Sequence, residues 1–281
     1  MDGPSKQLGL DFIQFLPRIE MIKYIVCKGW EGFSDRLQCL SYAVTTSLRY
    51  NRILYVDWTD DIWGNSFYDY FYFEDLEYID DYRKIPKQAT VHPQFWQHKL
   101  MLPANSWIYD MKDKLVFDPK TCNNFSDVWV QPGIGFREYN MPLLTKHLRI
   151  RPDIVDQIYT EPITDLPVVH LRGTDRSFTD EDWARLRELA PIAYVLSDDI
   201  KLVDRWKLES PDSIVISKPQ VDVTHFSTNV DKHQYNLDLL REFYILASAS
   251  EAHALNVNSL YFKMSRIIGT CPHYKAMFNK Q

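Results

Sequence analysis

One pattern constrains this chain more than any other. Short apolar, β-branched runs each break into a glycine-rich or polar turn and then into an amphipathic helix. Residues 21–27, MIKYIVC, read as a buried strand. The turn KGWEGFSD follows, with Gly29 and Gly32 as breakers, and Ser34 or Asp35 can cap the next helix over 36–50. Residues 52–58, RILYVDW, then read as a second strand. A strand–loop–helix–strand unit of this kind builds a parallel sheet.

The second half repeats the alternation. Helices are expected over 140–150, 151–162, 178–190, 200–208, 235–250 and 258–268, with strands over 167–172, 192–199, 213–217 and 252–257. Residues 60–145 break the pattern, and irregular structure with short helices and a strand or two is expected there. The aromatic run from Trp58 and Trp63 through Phe67, Tyr68, Tyr70, Phe71, Tyr72 and Phe73 to Tyr78 has two readings. It can line a cleft for a flat partner, or it can form the edge of a core from large amphipathic side chains. Taken alone, the core reading is the better one.

The 281 residues suit about two domains of roughly 150 residues. With 45% hydrophobic and 25% charged residues, an ordinary core can form without staples. A formal net charge of -6 argues against coating nucleic acid or binding anionic membrane by bulk charge. No apolar run approaches the roughly 20 residues needed to span a bilayer, and the N-terminus lacks the form of a secretory signal. Cys27, Cys39, Cys122 and Cys271 show no metal-ligand spacing and read as reduced thiols, so a cytoplasmic setting is expected. Asn124-Phe125-Ser126 is a lone glycosylation sequon, a pattern that arises easily by chance.

In an open α/β sheet the ligand lies beyond the carboxyl ends of the strands. After the first strand comes Gly29-Trp30-Glu31-Gly32-Phe33-Ser34-Asp35-Arg36. Glycines there admit close approach of a ligand, and the helix start offers amides to an anion, although an ordinary tight turn would look the same. After strand 167–172 comes His170-Leu171-Arg172-Gly173-Thr174-Asp175-Arg176, where alternation sends His170 and Arg172 to one side. An arginine at a strand end can grip a diphosphate bidentately; an Arg172–Asp175 ion pair beside a core histidine is the plainer possibility. Ser197-Asp198-Asp199 and Asn258-Ser259 close two further strands. Four such ends on one cleft say more than any one of them.

These segments together resemble a known superfamily. VVHLRGTDR resembles the H-x-R-x-x-D segment of α-1,6-fucosyltransferases, protein O-fucosyltransferases and nodulation fucosyltransferases. The Gly29–Arg36 loop with LYVDW, the VLSDD strand end, and LREFYILASASEAHALNVNSLYFKM resemble three more of its segments. The resemblance spans about two thirds of the chain and implies an α/β GT-B fold, with two Rossmann-like domains facing a cleft. Residues 1–150 would be the acceptor side and 151–281 the donor domain. It implies an inverting, metal-independent transferase that moves a sugar, usually fucose from GDP-fucose, to a glycan hydroxyl with no resident cofactor. Arg172 would hold the β-phosphate, and His170 would lie against the nucleoside. Asp175 would orient the loop, and Glu242, where the family often has Asp, would contact the base. Gly32, Asp35, Arg36, Asp198, Asn256, Asn258 and Ser259 would complete the donor site. Asp180, ten residues after His170, resembles an acidic base, with Glu181 and Asp182 close alternatives. The same trio also suits the start of a helix. A metal-dependent transferase using Asp180–Asp182 explains fewer of these segments. Another nucleotide sugar, or binding without catalysis, remains compatible with them.

Overall fold

The structure is a computed structural model that describes residues 22–103, 126–132, 139–159, 165–173, 177–217, 227 and 229–278. Cys122, the Asn124 sequon and Asp175 lie outside the described residues.

Two four-stranded parallel sheets organise the chain. The first contains β1 (Tyr24–Lys28), β2 (Ile53–Asp57), β4 (Val91–His92) and β5 (Val128–Pro132), in the order β2-β1-β5-β4. β1 is buried at every position, as a central parallel strand covered on both faces must be. The second sheet contains β7 (Val168–Leu171), β8 (Tyr194–Ser197), β9 (Ile214–Val215) and β10 (Ala252–Ala254), in the order β10-β7-β8-β9. A small antiparallel ribbon joins β3 (Phe71–Phe73) to β6 (Leu148–Ile150).

Eight helices are described: α1 (Phe33–Tyr50), α2 (Met141–His147), α3 (Pro152–Ile158), α4 (Asp180–Leu189), α5 (Ile200–Glu209), α6 (Lys232–Ser248), α7 (Leu260–Gly269) and α8 (Tyr274–Phe278). Most fall where hydrophobic periodicity puts them. The helix expected over 140–150 ends early, because Leu148 and Ile150 bury as strand residues opposite Phe73 and Phe71. WVQ at 129–131 becomes part of the strand beside β1.

The aromatic run is core. Trp58, Trp63, Phe67 and Phe71 are buried, and Trp58 meets Phe67 edge-on at 4.9 Å. They pack with Leu37 and Leu40 of α1 and with Phe243 of α6, in a cluster that also takes in Met264 of α7 and Met277 of α8. The last three helices therefore share a core with the first, which brings the β7–β10 sheet ends toward the start of α1.

Candidate functional site

Gly32 is the N-cap of α1 and has no side chain to cover the helix end. Gly29, three residues earlier, is required by packing. A Cβ there would lie 2.3 Å from Trp58 Cδ1 and 2.6 Å from Arg36 Nη1. The turn thus closes directly over the Arg36 side chain.

Arg36, expected among the donor-binding residues, lies in the interior. It is 0% exposed, and its Nη2 donates to Asp60 Oδ1 at 2.8 Å and Oδ2 at 2.7 Å. Its Nε donates to the Glu31 carbonyl at 3.0 Å, and the guanidinium lies 5.6 Å from Trp58 and 5.9 Å from Trp63. Lys28 at the end of β1 is equally buried. It pairs with Asp57, donates to the carbonyls of Leu100 and Leu102, and lies 4.9 Å from the Trp96 ring. Burial pushes its pKa down, and Asp57 opposes that.

Arg172 lies one residue past β7 and is half-buried. Its charge reaches Asp35 on α1, His170 on β7, Tyr235 on α6 and Tyr261 on α7. Gly173, the next residue, sits in a tight space. Its N–H donates to Asp198 Oδ1 at 3.0 Å, and a Cβ on it would meet Leu202 Cδ1 at 2.5 Å and Asp199 Oδ2 at 2.7 Å. The turn after β7 is fastened to the turn after β8, with room for glycine only.

His170 is buried, stacks on Phe262 at 6.3 Å, and has no hydrogen-bond partner for Nδ1 among the described residues. Burial pushes its pKa down to about 4; Asp198 opposes this and Arg172 adds to it. The ring is neutral at physiological pH. Glu242 has the opposite perturbation. Burial, then Asp238 and Asp198, push its carboxyl up to about 8 against a hydrogen bond from Ser217 and the charge of Arg241. It holds its proton at neutral pH, so its carboxyl offers a donor as well as an acceptor. Burial raises the Tyr235 and Tyr261 hydroxyls too, and Tyr261 donates to the Leu239 carbonyl at 2.7 Å.

The Asn256–Ser259 turn precedes α7. Asn256 Oδ1 accepts from the Asn258 amide at 3.0 Å, and its carbonyl accepts from the Ser259 amide at 3.0 Å. Ser259 is buried and caps α7 by accepting from the Phe262 amide at 3.4 Å. Asn258 is exposed and accepts from Lys263 at 3.2 Å.

The structure thus brings together Asp35, His170, Arg172, Asp198 and Glu242. Asp180 stands apart from this group: its side chain is 90% exposed and accepts from Arg205 on α5 at 3.0 Å. The helix reading of the acidic trio holds. Thr179 caps α4 and forms a reciprocal capping box with Asp182, which turns the first acidic residue outward. Sequence reasoning missed Tyr235, Tyr261 and Ser217. Ser217 ends the 213–217 run and was open to the strand-end rule; the two tyrosines lie on helices and carried no such signal.

Among the described residues no group of three or more His, Cys, Asp or Glu is arranged to hold a metal ion, and no helix is long and apolar enough to cross a membrane.

No protein-family model and no curated protein matches the sequence. Solved structures do match in shape. NodZ α-1,6-fucosyltransferase soaked with GDP-fucose superposes with a TM-score of 0.63 at 16% identity, over 88% of this chain and 92% of that one. Fucosyltransferase NodZ from Bradyrhizobium gives 0.63 at 17% identity, over 87% and 92%. A point mutant of Arabidopsis thaliana FUT1 in complex with GDP gives 0.52 at 12% identity, over 91% and 71%. The α/β fold expected from the sequence motifs, that of the GT-B fucosyltransferases, is the fold this chain has.

Proposed function

We propose that the chain is a glycosyltransferase that takes a GDP-sugar, GDP-fucose first among them, and transfers the sugar to a hydroxyl of a glycan with inversion and without a metal ion. The observation that carries this reading is the group around Arg172, on a fold shared with proteins solved with GDP-fucose and GDP. Residues 151–281 supply the donor side and residues 1–150 the acceptor side.

Glycosyl transfer passes through an oxocarbenium-like state while negative charge grows on the departing diphosphate. A fixed guanidinium at that charge is worth about 3–4 kcal/mol, by analogy with an oxyanion donor. Arg172 fills this role. Gly173 and Asp198 hold its turn, so little reorganisation is needed as charge develops. Neutral His170 offers an uncharged flat surface to the nucleoside, and protonated Glu242 offers a donor to its base.

The test is thermal denaturation with GDP, UDP, ADP and CMP, each with and without Mn²⁺. A ligand that binds only the folded state at 100 times its Kd adds about 2.7 kcal/mol. Stabilisation by GDP, unchanged by metal, is expected. Stabilisation by UDP alone would overturn the donor, dependence on metal would overturn the metal-free reading, and no response to any nucleotide would overturn the function.

A further inference from the structure

Resting on that reading, we infer that the cleft between the turn after β2 and the start of α6 is the subsite that receives the acceptor, an uncharged sugar held through its hydroxyls. The cleft has a volume of about 350 Å³ and is lined by Thr59, Asp60, Asp61 and Gly64 on one side and by Lys232 on the other. Small-molecule sites span roughly 300–1,000 Å³. The turn lies beyond the carboxyl end of β2, where a parallel sheet presents its ligand-binding loops.

Both walls are fixed before any ligand arrives. Asp60 Oδ1 accepts from the Ile62 amide at 3.1 Å and the Trp63 amide at 2.8 Å, and the Asp60 carbonyl accepts from the Gly64 amide at 2.7 Å. Arg36 holds the same carboxylate from the interior. Two side chains of α6 tie the helix to this turn. Lys232 Nζ donates to the Ile62 carbonyl at 2.9 Å, and Asn236 Nδ2 donates to the Trp63 carbonyl at 2.9 Å. Gly64, at φ +74°, lets the lysine stem lie against the turn, for a Cβ there would sit 2.6 Å from Lys232 Cγ. A preset site loses less ordering entropy on binding.

The groups left over define the ligand. Asp61 is exposed, and neither a hydrogen bond nor an ion pair engages its carboxylate among the described residues. The Thr59 hydroxyl donates to Asp57 and keeps its capacity to accept. Lys232 has three N–H groups and uses one on Ile62. Acceptors thus share the cleft with donors, and a sugar hydroxyl, which donates and accepts, meets both. Asp60 is balanced by Arg36, and Asp61 shares the cleft with Lys232, so the site has no net charge. That suits a neutral sugar rather than a phosphate or a metal ion. The cleft also stands apart from Glu242, which lies ten residues beyond Lys232 on α6, roughly 15 Å along the axis.

The experiment compares wild type with Asp61→Ala, Asp61→Asn and Lys232→Met. Release of GDP from GDP-fucose is followed against the concentration of lactose, maltose, xylobiose or N,N′-diacetylchitobiose, and GDP affinity is measured by calorimetry. At least one of these sugars is expected to accelerate release above the rate in water alone. For that sugar, Asp61→Ala and Lys232→Met are expected to raise KM about tenfold or more, with kcat and the GDP Kd within threefold of wild type. Asp61→Asn keeps an acceptor oxygen and is expected to fall between. Asp61 supports no other group, so its variants separate binding from folding, and an unchanged GDP Kd reports a folded protein. An acceptor KM within threefold of wild type in both Asp61→Ala and Lys232→Met overturns the assignment. So does a matching rise in GDP Kd, which would make the cleft a donor contact. GDP release that none of the four sugars accelerates overturns the sugar as occupant. Wild type that neither binds GDP nor releases it from GDP-fucose overturns the parent reading instead.

Discussion

The Gly173 amide donates to Asp198 Oδ1 over 3.0 Å, and through this bond the turn that carries Arg172 hangs from the neighbouring strand. The backbone on which Arg172 stands is therefore tied to the neighbouring strand. Arg172→Ala is expected to lower sugar transfer about 100-fold or more while the far-ultraviolet circular dichroism and melting temperature stay close to wild type. GDP release from GDP-fucose, measured alongside a melting curve, checks both halves of the statement.

Gly173→Ala tests the support rather than the charge. The new methyl would lie 2.5 Å from Leu202 Cδ1 and 2.7 Å from Asp199 Oδ2, so the turn or α5 must shift. Overpacking of this kind costs about 1–3 kcal/mol. Urea denaturation reads the loss of stability, and calorimetry reads the expected fall in GDP affinity.

The Arg36–Asp60 pair tests the N-terminal loop. Both groups are buried, so Asp60→Ala strands a guanidinium beneath Trp58 and Trp63. Breaking one side of a buried pair costs about 3–5 kcal/mol, whereas replacing both sides with apolar residues costs far less. Arg36→Met combined with Asp60→Leu is therefore expected to be more stable than Asp60→Ala, as judged by denaturant midpoints.

Glu242 and His170 make stability depend on pH with opposite signs. The Glu242 carboxyl is raised from 4.5 to about 8, so its contribution is whole below about pH 4.5 and is lost as pH rises through 8. His170 is lowered from 6.5 to about 4, so its contribution is whole above pH 6.5 and is lost as pH falls through 4. Glu242→Gln is expected to gain stability relative to wild type as pH rises from about 5 to 9, and to leave the acid side unchanged. Melting temperatures across that range decide it.

Much of this protein was legible locally. The runs at 21–27, 52–58, 167–172 and 192–199 announce parallel strands because a strand buried on both faces must be apolar and β-branched wherever it occurs. The polar turns after them mark the site, since only strand ends expose backbone and charge on such a sheet. His170, Arg172 and Asp198 stand at those ends, where the rule directs attention, while their roles toward a donor were implied by the resemblance.

What the rule could not supply was the partner of each charge. Arg36 and Asp35 are neighbours in sequence with the same strand-end setting. Asp60 and two tryptophans bury Arg36, while Asp35 stays half-buried with its pKa pushed up to about 6, chiefly by burial. Asp180 has the spacing of a base, but the Thr179 capping box directs it to solvent and Arg205. Leu148 and Ile150 continue a helical pattern until Phe71 and Phe73 offer a strand to pair with. Periodicity and turn chemistry are properties of a few adjacent residues, and the sequence by itself determined the elements and their order. Desolvation and charge pairing depend on segments far apart in the chain, and only the tertiary structure decided which acids and bases are buried, neutralised or left able to react.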